Sequence, residues 1–155
     1  AFVHLGGAEV PVVEAEGARA LVIAGDAWGA RSPVPVFSDT IYADVTLEPG
    51  TSIPLPADHE ERGLYLVRGA VEIDGRRHEP GRLLVLRPGV SLAARAPDGA
   101  RLFVLGGATL DGPRHLWWNF VASTPERIEA AKDAWRAGRF APVLGEHEHI
   151  PLPDA

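Results

Sequence analysis

Thr40-Ile41-Tyr42-Ala43-Asp44-Val45-Thr46-Leu47-Glu48-Pro49-Gly50 opens the stretch that decides the fold, and that stretch runs on to residue 96. Apolar residues at every second position, Ile41, Ala43, Val45 and Leu47, put one face of a strand inward, and Pro49-Gly50 turns the chain. The loop Leu55-Pro56-Ala57-Asp58-His59-Glu60-Glu61-Arg62 leads into a second apolar segment, Gly63-Leu64-Tyr65-Leu66-Val67-Arg68-Gly69. Asp74-Gly75 marks a hairpin. Pro80-Gly81-Arg82-Leu83-Leu84-Val85-Leu86-Arg87-Pro88-Gly89 then repeats the pattern of strand and turn. Short strands with a turn about every ten residues predict a double-layered or barrelled all-β core.

Upstream of this stretch, residues 1–18 read as an extended lead-in and residues 19–25 as an apolar strand. Gly29, Ser32 and Pro33 interrupt both periods, so residues 26–33 read as a loop. Residues 34–37 read as a short edge strand, where Pro35 is tolerated because an edge leaves one N–H unused. Downstream, residues 91–96 and 101–107 are strands about a turn at Pro97-Asp98-Gly99. The second is apolar on both faces and should be central and covered. Residues 115–121 read as the last strand, and its aromatic density suits a seam against another element. Ser123-Thr124-Pro125-Glu126 supplies a hydroxyl cap, a proline for the first turn and a glutamate at capping-box distance, predicting a helix over about 124–137 that Gly138 ends. Ile128, Ala131 and Trp135 share one face of it and read as core packing. The tail, residues 139–155, has no period, and Ile150-Pro151-Leu152-Pro153 reads as an extended strap.

A chain of 155 residues, 46% hydrophobic, is long enough for one well-buried core, and no break in composition calls for two. The net charge of -6 argues against a nucleic-acid surface, which needs clustered cations, and leaves contact with a basic protein open. Without cysteine there are no disulfides, thiolate metal sites or cysteine nucleophiles. No apolar run approaches a membrane span, and Ala1-Phe2-Val3-His4 lacks the regions of a signal peptide, so no membrane partner and a cytoplasmic location are expected. The absence of methionine, at position 1 included, has two readings: removal of the initiator before Ala1, or a chain that is a piece of a longer protein.

The turn at Gly50, the acidic loop containing His59, the strand ending at Gly69 and the Gly81-to-Gly89 segment together resemble the two motifs of the cupin β-barrel. In a metal-binding cupin these motifs supply three histidines and a glutamate, which hold a divalent transition metal and leave positions open for substrate or oxygen. Carried over, the first two histidine positions fall near Pro56 and Asp58, the glutamate on Arg62 and the last histidine on Leu92. Only Asp58 could be a ligand, and an arginine beside it repels a cation.

The resemblance widens to the pirin family on Gly29-Ala30-Arg31-Ser32-Pro33-Val34, His59-Glu60-Glu61-Arg62, Gly112-Pro113-Arg114-His115-Leu116-Trp117-Trp118-Asn119-Phe120-Val121, Lys132-Asp133-Ala134-Trp135-Arg136-Ala137-Gly138-Arg139-Phe140 and Ile150-Pro151-Leu152-Pro153. The chain is similar end to end to the C-terminal half of a bacterial pirin-like protein. That resemblance implies a single cupin domain over 1–155: a double-stranded β-helix, or jelly-roll barrel, over about 19–121, one C-terminal α-helix over about 124–137, and the tail. It implies a metal-free module with no cofactor of its own, partnered by an N-terminal cupin that carries iron or another divalent transition metal. The family is associated with quercetin 2,3-dioxygenase activity and, in eukaryotes, with iron-dependent transcriptional co-regulation. This chain alone is then not the enzyme, and isolated it would be free to form a homo-oligomer.

Other constellations are weighed against that reading. Asp58, His59 and Glu61 form the candidate set for a stand-alone cupin metalloenzyme, set against an exposed acidic loop, because His59 lies one residue out of step with the ligand positions. Arg62 and Arg68 read as surface charges paired with Glu60 or Glu72, or, for Arg62, as a plug at the barrel mouth bonded to Asp58. His147-x-His149 reads as a solvated strap, since two ligands without a third make no site. His4, His78 and His115 carry no motif, and Trp117-Trp118 reads as interface or core before a flavonoid platform.

Overall fold

In the computed structural model, which describes residues 3–143 and 145–153, the alternating segment is a strand whose inward residues Ile41, Ala43, Val45 and Leu47 are each 2% exposed or less. The chain divides into two compact units, Leu5–Thr109 and Leu110–Ala155 with Ala1–His4.

In the first unit the strands are β1 (Val12–Ala15), β2 (Ala18–Ala27), β3 (Ala30–Arg31), β4 (Thr40–Leu47), β5 (Ser52–Pro54), β6 (Glu61–Gly69), β7 (Val71–Ile73), β8 (Arg76–His78), β9 (Leu83–Leu86), β10 (Ala93–Arg95) and β11 (Ala100–Gly107). One sheet has the order β1-β2-β4-β11-β6-β9, with β3 on β2, and a second has the order β5-β10-β7-β8; the paired strands are antiparallel. β11 is central, as its two apolar faces require: Leu102 lies opposite Val45 and Leu66, and Val104 opposite Ala43 and Leu64. Inward side chains of both sheets, among them Val22, Leu64 and Leu102 from one and Ile53, Val71 and Ala94 from the other, make one hydrophobic core. Burying each large aliphatic side chain here is worth roughly 1.5–3 kcal/mol. The Asp74-Gly75 hairpin forms as read, both residues at positive φ (50° and 71°).

Three expectations are corrected. Residues 34–37 are not a strand, because Pro33 and Pro35 both lack the N–H a ladder needs; Phe37 stands in solvent. Residues 26–33 are not all loop: β2 runs through Ala27 and reverses over Trp28 and Gly29, both at positive φ (50° and 79°), into β3. Residues 115–121 are not one strand but a hairpin.

That hairpin belongs to the second unit: β12 (His115–Trp117) and β13 (Phe120–Ala122) reverse over Trp118, at φ 51°, and are followed by α1 (Pro125–Arg136). Thr124 caps the helix, its hydroxyl accepting from the Arg127 N–H at 3.4 Å, and Gly138 follows its end at φ 63°. Ile128 is buried, and Trp135 packs edge-on to Trp118 (ring centres 5.2 Å apart) and Phe120 (6.1 Å), so the stripe read from spacing is a packing face. The described part of the tail, Ile150 to Pro153 included, is irregular; Leu144, Asp154 and Ala155 of the expected tail lie outside the described residues.

Candidate functional site

The loop that carries the cupin-like motif follows β5, and what surrounds it is set at the end of β2. At Gly25 (φ 73°) β2 passes so close to β4 that a Cβ would sit 1.6 Å from the Thr40 carbonyl oxygen, so only glycine fits. The register shift between Val22 and Ala24 moves the inward positions of β2 from Ala20 and Val22 to Gly25 and Ala27, which leaves Asp26 off the core face. Trp28 follows; its indole N–H donates to the Pro54 carbonyl at 2.7 Å and holds the β2–β3 turn against β5.

Asp26, Trp28, Pro54, Pro56, Asp58 and His59 line a cleft of about 270 Å³. His59 is 5% exposed, not part of an exposed loop as expected. Its burial is sustained by two partners: Nδ1 lies 3.0 and 3.1 Å from the two carboxylate oxygens of Asp39, and Nε2 lies 3.0 Å from the main-chain oxygen of Asp26. Both partners are acceptors, so a hydrogen on either ring nitrogen has an oxygen to receive it. Asp26, Asp39 and His59 each place a ligand-capable atom within 4.8 Å of one another. The imidazole nitrogens are already engaged, however, and the Asp26 carboxylate receives Arg31 Nη2 at 2.7 Å, so the cluster is a hydrogen-bonded clasp joining β2, the segment before β4 and the motif loop.

Of the candidate set, the structure brings Asp58 and His59 to this cleft, with Asp58 exposed, and places Glu61 at a different groove, lined also by Leu83 and Leu105. Asp39 and Asp26 were not legible as partners of His59, because no spacing links positions 26, 39 and 59 until β2 and β4 are paired.

Arg62, the residue in the cupin glutamate's place, is 3% exposed and is neither a surface charge nor bonded to Asp58, as the two readings had it. It points inward from β6. Nη1 donates to the Pro56 carbonyl at 2.8 Å, and Nη2 donates to the carbonyls of Arg87 at 2.6 Å and Val90 at 2.9 Å; Nε–H has no partner. Glu72, the other expected partner, pairs with Arg95 at 3.0 Å. Leu92, in the place of the last histidine, packs against the hydrophobic core. These residues do not fit a cupin metal: a fixed cation stands among them, the nearby oxygens are neutral carbonyls that it already occupies, and no imidazole faces it.

The other histidine reading stands apart. His147 and His149 are exposed, and His149 stacks on Trp135 with ring centres 5.7 Å apart. Glu146 accepts from the main-chain N–H groups of Glu148 and, second, His147, which hold its carboxyl below the ordinary range.

The family model for the pirin C-terminal cupin domain matches residues 42–141, which takes in most of β4, the motif loop, Arg62 and α1. The chain belongs to the pirin family. It is 44% identical over 152 residues to a pirin-like protein of Caulobacter vibrioides, covering 97% of this chain and 52% of that protein. It is 30% identical over 131 residues to pirin of Homo sapiens, covering 79% of this chain and 45% of the relative. Among solved structures, a quercetin 2,3-dioxygenase from Acinetobacter baumannii superposes with a TM-score of 0.78 at 26% identity, over 94% of this chain and 50% of that one. The fold is thus that of the cupins, and the chain spans about half the length of the relatives it matches. Among the described residues no helix is long and apolar enough to cross a membrane.

Proposed function

We propose that this chain is one cupin domain, the metal-free C-terminal half of a two-cupin pirin, and that it serves as a structural and interaction module for an N-terminal half in which the iron and any oxygen chemistry reside. The observation that carries the reading is the Arg62 side chain, inward and held by the Pro56, Arg87 and Val90 carbonyls where a metal-binding cupin keeps its carboxylate. A guanidinium bears the charge that such a centre would otherwise receive from a metal, and its planar fork reaches several acceptors at once. Coverage of about half of each relative supports a second half of similar size. A quercetin 2,3-dioxygenase among the structural relatives supports that class of activity for the whole protein.

Elemental analysis of the purified 155-residue chain, reconstituted with iron(II), manganese(II) or nickel(II) and desalted, tests this. The expected result is no stoichiometric metal and no quercetin turnover. One equivalent of metal that disappears on His59→Ala would overturn it in favour of a stand-alone metalloenzyme.

A further inference from the structure

The large sheet has a second face. Tyr65 and Val67 on β6, Leu83 and Val85 on β9, and Phe103 and Leu105 on β11 alternate with the buried Leu64, Leu66, Leu86, Leu102 and Val104, so they project from the side away from the core. The register sets them side by side: Tyr65 lies opposite both Leu83 and Phe103, and Gly63 opposite both Val85 and Leu105. Because Gly63 has no side chain, Leu83 and Leu105 lean over it, and the space around them forms a groove of about 340 Å³.

Leu83 is 55% exposed and Val85 is 84% exposed. β9 is also the last strand of its sheet, so an apolar edge lies open along the same border. On β4 the same face carries Tyr42, opposite Leu105 and with its ring centre 5.6 Å from that of Phe103, and Asp44, which takes Arg101 in a two-pronged pair at 2.6 and 3.0 Å, with the guanidinium carbon 5.8 Å from the centre of the Phe103 ring. A contiguous apolar area with an ion pair at one corner is the form of a docking surface.

We propose that this outer face, centred on Tyr65, Leu83, Val85 and Leu105, is where the other half of the longer pirin sits; this rests on the two-half reading above. Two observations select that occupant. The matched relatives carry roughly as much chain again as is present here, 52% and 45% of their lengths being covered. A tethered half is held at high effective concentration, so a modest face of a few aliphatic residues suffices to keep it seated. A second copy of this chain, by contrast, would bring -6 against -6 with no tether.

The chain has no cysteine, so Val85→Cys gives it a single thiol on the most exposed of these apolar residues. Arg76→Cys, on the exposed β7–β8 hairpin, serves as the control. Alkylation at each position is followed by peptide mass spectrometry in the 155-residue chain and in the protein carrying both halves. The expected result is labelling of residue 85 that slows by about tenfold or more in the longer protein, while residue 76 reacts alike in both. Equal rates at residue 85 overturn the proposal. Protection already present in the 155-residue chain, with elution as a dimer that Val85→Asp dissolves, also overturns it and makes a second copy the occupant. Metal content read on the same samples separates the two claims: metal in this half with residue 85 protected defeats the metal-free reading and leaves the face standing, and the reverse defeats the face alone.

Discussion

Arg62 donates through Nη1 to the main-chain oxygen of Pro56 at 2.8 Å, so the residue in a metal-binding cupin's carboxylate position is tied to one near its first histidine position. With the bonds to Arg87 and Val90, this fixes the loop after β5 and the turn after β9 to β6. Arg62→Met keeps much of the volume and removes every donor, so three partly buried bonds to main-chain carbonyls are lost. A loss of about 1–3 kcal/mol in chemical denaturation is expected. Arg62→Lys should fall between, since a single ammonium cannot span three carbonyls. Calorimetric titration of Arg62→Met with iron(II) should still show no binding, because Pro56 and Leu92 bring no ligand.

The clasp at His59 makes a second prediction. His59→Ala removes a ring that is 5% exposed together with its bonds to Asp39 and the Asp26 carbonyl, and should cost about 1–3 kcal/mol. Asp39→Asn, whose side chain remains partly in water, should cost less. A thermal melt of both variants checks the order, and an Asp39→Asn loss equal to or larger than that of His59→Ala would contradict it.

Core and surface positions should separate cleanly. Leu64 and Leu102 are 0% exposed, and truncating either to alanine should cost about 2–5 kcal/mol, part from lost transfer and part from the cavity left behind. Val121, 61% exposed on β13, should change stability by no more than about 0.5 kcal/mol when made alanine. Urea midpoints read both.

Acid should act on α1. The Glu126 carboxyl is held below its ordinary range, first by its own main-chain N–H, then by the Thr124 hydroxyl. A group with a depressed folded-state value stabilises above its unfolded value and loses that contribution as pH falls through the depressed one. Helical ellipticity should therefore decline on acidification more steeply in the wild type than in Glu126→Gln, which has no carboxylate to protonate. Parallel curves would show that the cap carries no such charge effect.

How far the sequence could be read depended on whether a feature was local. The inward faces at Ile41 to Leu47 and Leu64 to Leu66 and the Asp74-Gly75 hairpin follow from neighbours within a few residues and stand as read; the hydroxyl cap of α1 also forms, but on Thr124, one residue past the Ser123 position that the spacing to Glu126 implies. Trp28 and Trp118 were missed as turn residues because both adopt positive φ (50° and 51°) without the glycine or asparagine that would announce it. The family motif singled out Arg62 as a position of interest, and the structure buries it at 3% exposure. The motif could not show what the guanidinium does there, since Arg87 and Val90 lie 25 and 28 positions away and offer only backbone oxygen. His59 was placed in the right loop but assigned to solvent, because a loop's polarity says nothing of an aspartate that pairing of β2 with β4 brings alongside.

The inward guanidinium has one further consequence, for how the barrel end is braced. The positive charge there is part of the polypeptide, so what ties the loop after β5 and the turn after β9 to β6 is present as soon as the chain has folded. That brace has no exchangeable component, and its strength is set by the geometry of one planar side chain against three main-chain oxygens.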